Sequence, residues 1–79
     1  MKLIKGIHIN GEDGKIRFWK LPETLEDLEI KKGQYARVET RHGEAEIEIL
    51  QIFDSKNSKV RFKNFELHVT KSVISIHKF

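Results

Sequence analysis

Apolar and polar residues alternate along much of this 79-residue chain, the period-two spacing of strands with one buried face. The clearest stretch is Gln34 to Phe53, QYARVETRHGEAEIEILQIF, which reads as two antiparallel arms folded back at His42-Gly43. A type I′ turn there needs positive φ at both central positions. Histidine is among the residues that enter the left-handed region, and glycine does so freely. The register this implies sets Arg41 opposite Glu44, Glu39 opposite Glu46, Val38 opposite Ile47 and Arg37 opposite Glu48. One face is then Ala36, Val38, Thr40, Ala45, Ile47 and Ile49, and the other is almost wholly charged. Past Ile49 the parity changes, with Leu50 and Ile52 on the other side. A β-bulge or bend near Ile49-Leu50 would bring both groups to one core.

The flanking segments extend the same pattern. Leu3 to Asn10 reads as a strand with Leu3, Ile7 and Ile9 in phase and Ile4 opposite, Gly11 to Gly14 as a turn, and Lys15 to Leu21 as the returning strand. Pro22 stops that strand, because it has no N–H for a ladder. Leu25 and Leu28 with Ile30 out of helical phase suit at most one helical turn near residues 24 to 29, capped by Thr24. Lys31-Lys32-Gly33 turns the chain into the central hairpin. After the polar turn Asp54 to Ser58, Val60 and Phe62 point inward; the phase then shifts to Phe65, Leu67 and Val69, which predicts a bend at Lys63-Asn64. Thr70 to Ser72 is the last turn, and Val73 to Phe79 closes the chain with Ile74 and Ile76 in phase. The expected fold is all-β: a small curled antiparallel sheet or open barrel of five to six strands, one domain over residues 1–79.

Composition narrows the setting. No cysteine is present, so disulfides and thiolate metal sites are excluded and a cytoplasmic location is expected. No apolar run approaches the roughly 18 residues of a membrane span, and the N-terminal stretch lacks a leader's apolar core. The net charge of +3 is unevenly spread: residues 1 to 54 carry 9 basic and 11 acidic groups, whereas residues 55 to 79 carry 6 basic groups and a single acid, Glu66. A basic end on a small β domain suits a nucleic acid or an acidic protein surface.

Two surfaces are candidates for binding. On the central hairpin, Glu39, Glu44, Glu46 and Glu48 make an acidic stripe, interrupted by Arg37 and Arg41. Glu39 directly opposite Glu46 is mildly unfavourable and invites a cation: a metal, a partner's arginine, or Arg37 or Arg41 on the diagonal. Such a stripe can imitate a polyanion. Trp19, sharing its face with Arg17, is the expected exposed aromatic, as an anchor for a protein partner or a stacking platform, and Tyr35 is a further stacking candidate. The second surface is Lys56, Lys59, Arg61 and Lys63, a basic run suited to phosphate contacts; Phe62 and Phe65 within it are expected in the core of so small a chain. Among His8, His42, His68 and His77, only the pair Glu66 and His68 shares a strand face as weak metal candidates, so neither a metal nor another cofactor is expected. No serine lies in a recognisable triad or elbow pattern and no glycine-rich phosphate loop precedes a helix, which argues against an enzyme.

The stretch IKKGQYARVETRHGEAEIEILQI, residues 30 to 52, resembles small β modules in which a glycine turn leads to a strand ending in V-E-T and a second glycine turn returns the chain. Such modules occur among accessory proteins of bacteriophages and mobile elements, some of which inhibit host CRISPR nucleases. The resemblance implies a binding-only protein acting on a protein partner such as a nucleic-acid enzyme, without placing any functional residue. The alternative is a nucleic-acid-binding small β barrel that uses the basic segment.

Overall fold

The computed structural model describes residues 1–9 and 14–77. The chain runs β1 (Lys2–His8), β2 (Ile16–Leu21), α1 (Glu23–Glu26), β3 (Tyr35–Thr40), β4 (Gly43–Asp54), β5 (Lys59–Arg61), β6 (Glu66–His68) and β7 (Val73–Ile76). Five strands form one antiparallel sheet in the order β2-β1-β4-β3-β7, and β5 pairs with β6 in a separate hairpin. The all-β expectation holds, but the sheet is not closed by a ladder. The edge strand β2 meets the residue preceding the other edge strand, β7, in an isolated parallel bridge, Lys20 with Ser72, where the Lys20 N–H donates to the Lys71 carbonyl at 2.8 Å. No helix among the described residues is long and apolar enough to cross a membrane. Residues 11 to 13 of the expected first turn and the last two residues of the expected closing strand lie outside the described residues.

The central strand β4 pairs with β1 on one side and β3 on the other. Its parity change is a bulge: Lys5 faces Gln51 and Gly6 faces Ile49, so Leu50 has no partner on β1. The extra residue rotates the strand by one position, so that Ile47 and Ile49 are fully buried and Ile52 packs against the same core. That core also holds Ile4, Trp19, Leu21, Ala36, Val38 and Val73. Gly6 sits at the step, where a Cβ would lie 2.7 Å from Ile47 Cδ1 and 3.0 Å from the Glu48 carbonyl oxygen.

Several expectations are corrected. The central hairpin turns at Arg41-His42, with Thr40 opposite Gly43, Glu39 opposite Glu44 and Arg37 opposite Glu46, a register two residues from the expected one. A shift of two leaves every side chain on its expected face. The reason lies in the turn chemistry: His42 N–H donates to Thr40 Oγ1, that hydroxyl donates to the Gly43 carbonyl at 2.7 Å, and the positive φ of 111° falls on Gly43 alone. Thr24 does not cap α1, which begins after Pro22 without a side-chain cap. The expected bend at Lys63-Asn64 is a full reversal, closed by the Phe62 N–H donating to the Phe65 carbonyl at 2.8 Å, which raises the strand count among the described residues to seven. At β7 a register shift opposite Arg37/Val38 pairs Val73 with Val38 and Ser75 with Arg37, so Val73 is buried and Ile74 is 40% exposed.

Trp19 is the largest revision. It is 3% exposed, its indole N–H donates to the Glu39 carbonyl at 3.0 Å, and its ring meets His8 edge-on at 5.5 Å between centroids. It stands directly across from Ile4, so Trp19 and Leu21, rather than Ile16 and Phe18, supply the core face of β2. A chain this short needs its largest apolar ring for the core. Trp19 is therefore unavailable as a surface anchor.

Gly6→Ala is expected to lower unfolding free energy by about 1–3 kcal/mol, as overpacking does, because the added methyl meets backbone as well as Ile47. Urea denaturation measures it, and an unchanged midpoint would show that the bulge step has room to spare.

Candidate functional sites

On the outer face of β3 and β4, period-two alternation brings Tyr35, Arg37, Glu39, Glu44, Glu46 and Glu48 to one side. Arg37 gathers two of the carboxylates: its guanidinium reaches Glu46 at 3.2 Å and Glu44, on the diagonal, at 3.5 Å. The like-charged pair is Glu39 with Glu44, not Glu46. It is relieved from both sides, since Arg37 holds Glu44 and the Glu39 carboxylate accepts the Ser72 N–H at 3.0 Å. Glu46 also lies 3.8 Å from His77 Nε2. The structure thus brings all four stripe glutamates together, with one arginine between two of them, and leaves Trp19 on the opposite side of the sheet. Tyr35, a stacking candidate from the sequence, lies on this face, 48% exposed and facing Glu48 across the ladder.

The basic segment forms the β5–β6 hairpin. Lys59 stands opposite His68, Val60 opposite Leu67 and Arg61 opposite Glu66, so Lys59, Arg61, Glu66 and His68 share one face. Glu66 accepts ion pairs from Lys59 at 3.5 Å and Arg61 at 3.6 Å. The weak metal pair Glu66 and His68 therefore has cations, not further ligands, around its carboxylate. Among the described residues no group of three or more His, Asp or Glu side chains is placed to hold a metal.

Phe62 and Phe65 flank the hairpin tip, Lys63-Asn64. They do not point into the core as expected: they are 37% and 61% exposed, and their rings stack with centroids 4.7 Å apart and planes 20° apart. Phe62 meets Phe18 edge-on at 5.9 Å, and Phe18 meets Phe53 edge-on at 6.0 Å. Phe18 and Phe53 lie on the sheet's outer side, where Leu3 is fully buried. The hairpin is tied down at its base, where Val69 N–H donates to the Ser58 carbonyl at 2.8 Å and Ser55 N–H to the Met1 carbonyl at 2.7 Å. The signal for exposure was in the sequence: two apolar residues three apart across Lys-Asn cannot keep one strand phase, and a reversal places both beside the turn.

Comparison with known proteins finds no matching family model, no similar curated protein and no similar solved structure.

Arg37→Ala is expected to cost only about 0.5 kcal/mol of stability at low salt, because both ion pairs are well exposed. The loss should shrink as salt is added. Thermal melts across ionic strength measure it, and a salt-independent loss of several kcal/mol would mean that Arg37 acts through packing instead.

Proposed function

We propose that this chain is a non-enzymatic binding module, acting in the cytoplasm, that takes single-stranded nucleic acid on the β5–β6 hairpin. The observation that carries the reading is the exposed, stacked pair Phe62 and Phe65 at the tip of a hairpin bearing Lys59, Arg61 and Lys63, with Lys56 in the preceding turn. Aromatic faces beside cations are what single strands require: stacking tolerates any base, and lysine and arginine neutralise phosphate. The two functions occupy different sides. Lys59 and Arg61 lie on the face opposite Val60 and Leu67, and Lys63 lies in the turn that joins Phe62 to Phe65, so a strand would cross the tip rather than lie along one face.

Two further bonds support a rolled sheet as the scaffold, an open barrel in outline. Trp19 on β2 reaches the Glu39 carbonyl on β3 although β1 and β4 lie between them in the sheet, and the Lys20–Ser72 bridge joins the two edges.

A second reading is a protein partner on the acidic face, as in a phage-type inhibitor that occupies the basic groove of a nucleic-acid enzyme such as a CRISPR nuclease. It is favoured by one row of the outer face, in which Ile16, Ile7, Glu48 and Tyr35 are successive cross-strand neighbours and the end members Ile16 and Tyr35 are 49% and 48% exposed. An exposed isoleucine and tyrosine on either side of the Glu48 carboxylate suit a protein interface.

Titration with single- and double-stranded DNA and RNA across a salt series separates the two. Under the leading reading, single strands bind at micromolar or tighter affinity with a steep salt dependence, Lys56, Lys59, Arg61 and Lys63 changed together to glutamine abolish it, and Glu66→Gln strengthens it by releasing two cations. No binding at low salt sinks that reading. Glu44, Glu46 and Glu48 reversed to lysine leave nucleic-acid binding intact or stronger under the first reading and abolish activity under the second.

A further inference from the structure

The ring contacts on the outer side of the sheet form a series with one unoccupied end. Phe53 and Phe18 meet at 85°, Phe18 and Phe62 at 66°, and Phe62 and Phe65 at 20°. The first two contacts are edge-to-face and attach Phe62 to the sheet. The last is parallel, so Phe62 covers one face of Phe65 and the other is left outward, on a side chain that is 61% exposed. The turn brings the two residues side by side, through the Phe62 N–H bond to the Phe65 carbonyl.

We infer that the outward face of Phe65 is a stacking platform for one unpaired base, which adds a further ring to the Phe62–Phe65 stack. The inference rests on the nucleic-acid reading above and names what that site recognises: the π-face of a base, whatever its hydrogen-bonding edge. Three physical points carry it. Offset stacking is favourable between ring faces at this spacing, and each base offers such a face. The platform is backed before binding by Phe62, which is itself in edge contact with Phe18, so less side-chain freedom is lost on association than for a lone exposed ring. Charge complementarity is local: Lys63 lies in the turn between the two rings, and the neighbouring Arg61 is 85% exposed, both within reach of the phosphates that flank a stacked nucleotide. A paired base has both faces covered within the duplex, so the platform selects single strands and frayed ends. An anionic membrane surface shares the attraction to cations but not the requirement for a flat ring.

The test uses the full chain with a short oligothymidylate, an abasic oligomer of equal length, a blunt hairpin duplex, and vesicles containing phosphatidylserine. The oligothymidylate is expected to bind about ten-fold or more tightly than the abasic oligomer. Phe65→Ala is expected to remove that difference while leaving the salt dependence unchanged, since no cation is lost. Phe65→Trp should keep the affinity and show fluorescence quenched by the bound base, against a constant background from the buried Trp19. Because position 65 is exposed, the thermal midpoint should stay within a few degrees in both variants. Equal binding of abasic and normal oligomers, or undiminished binding by Phe65→Ala, overturns the platform and leaves the basic hairpin as a nucleic-acid site. Absence of binding to every oligomer at low salt overturns both, and binding to the vesicles alone does the same while placing Phe65 at a membrane surface.

Discussion

The fold depends on a single step in the pairing of β1 with β4. β4 is twelve residues long and hydrogen-bonded on both sides, so its side-chain parity decides which residues reach the core from both neighbours. Without the bulge at Leu50, Ile47 and Ile49 would face the core while Ile52 faced away. With it, both halves of the strand serve one core. The bulge in turn needs Gly6, because a side chain there would meet Ile47 and the Glu48 carbonyl. One residue without a Cβ and one residue without a partner together let a long strand bend through the middle of a small sheet.

Trp19 depends on that arrangement. Its ring lies against the Gly6 step, where a Cβ would approach its Cζ3 to 3.3 Å, and its N–H is satisfied by the Glu39 carbonyl on β3. This bond, with the contacts of Ser72 to both the main chain and carboxylate of Glu39, ties the start of β7 and the end of β3 to the β2 side of the core. A buried indole with its polar atom partnered contributes area without an unsatisfied donor. The same requirement consumes the one tryptophan and leaves phenylalanines to occupy the outer side.

Charge is separated across the molecule in a way the net value conceals. The β3–β4 outer face carries four carboxylates against Arg37, whereas the β5–β6 region carries Lys56, Lys59, Arg61 and Lys63 against Glu66. Such a distribution orients an approaching polyanion toward the hairpin and repels it from the stripe, over about one Debye length at physiological salt. Ion pairs moderate both patches without cancelling either.

Local alternation was enough to establish the all-β class, the face assignment of β3 and β4, and a bulge or bend at Ile49-Leu50, because a half-buried strand repeats every two residues and a broken repeat demands an interruption; the pairing with β1 made it a bulge. The two-residue shift of the central hairpin was invisible to that reasoning, since it preserves every face; Thr40 side-chain bonding and the left-handed Gly43 decided it. Both faces of β2 offered apolar groups, Ile16 and Phe18 or Trp19 and Leu21, and only the position of β2 beside β1 at the sheet edge chose the second pair. The aromatic hairpin was likewise settled in three dimensions. Phe62 and Phe65 are apolar enough for a core, but the core was filled from β1, β2, β3, β4 and β7, and a tight reversal at Lys63-Asn64 left the two rings stacked on each other at its tip.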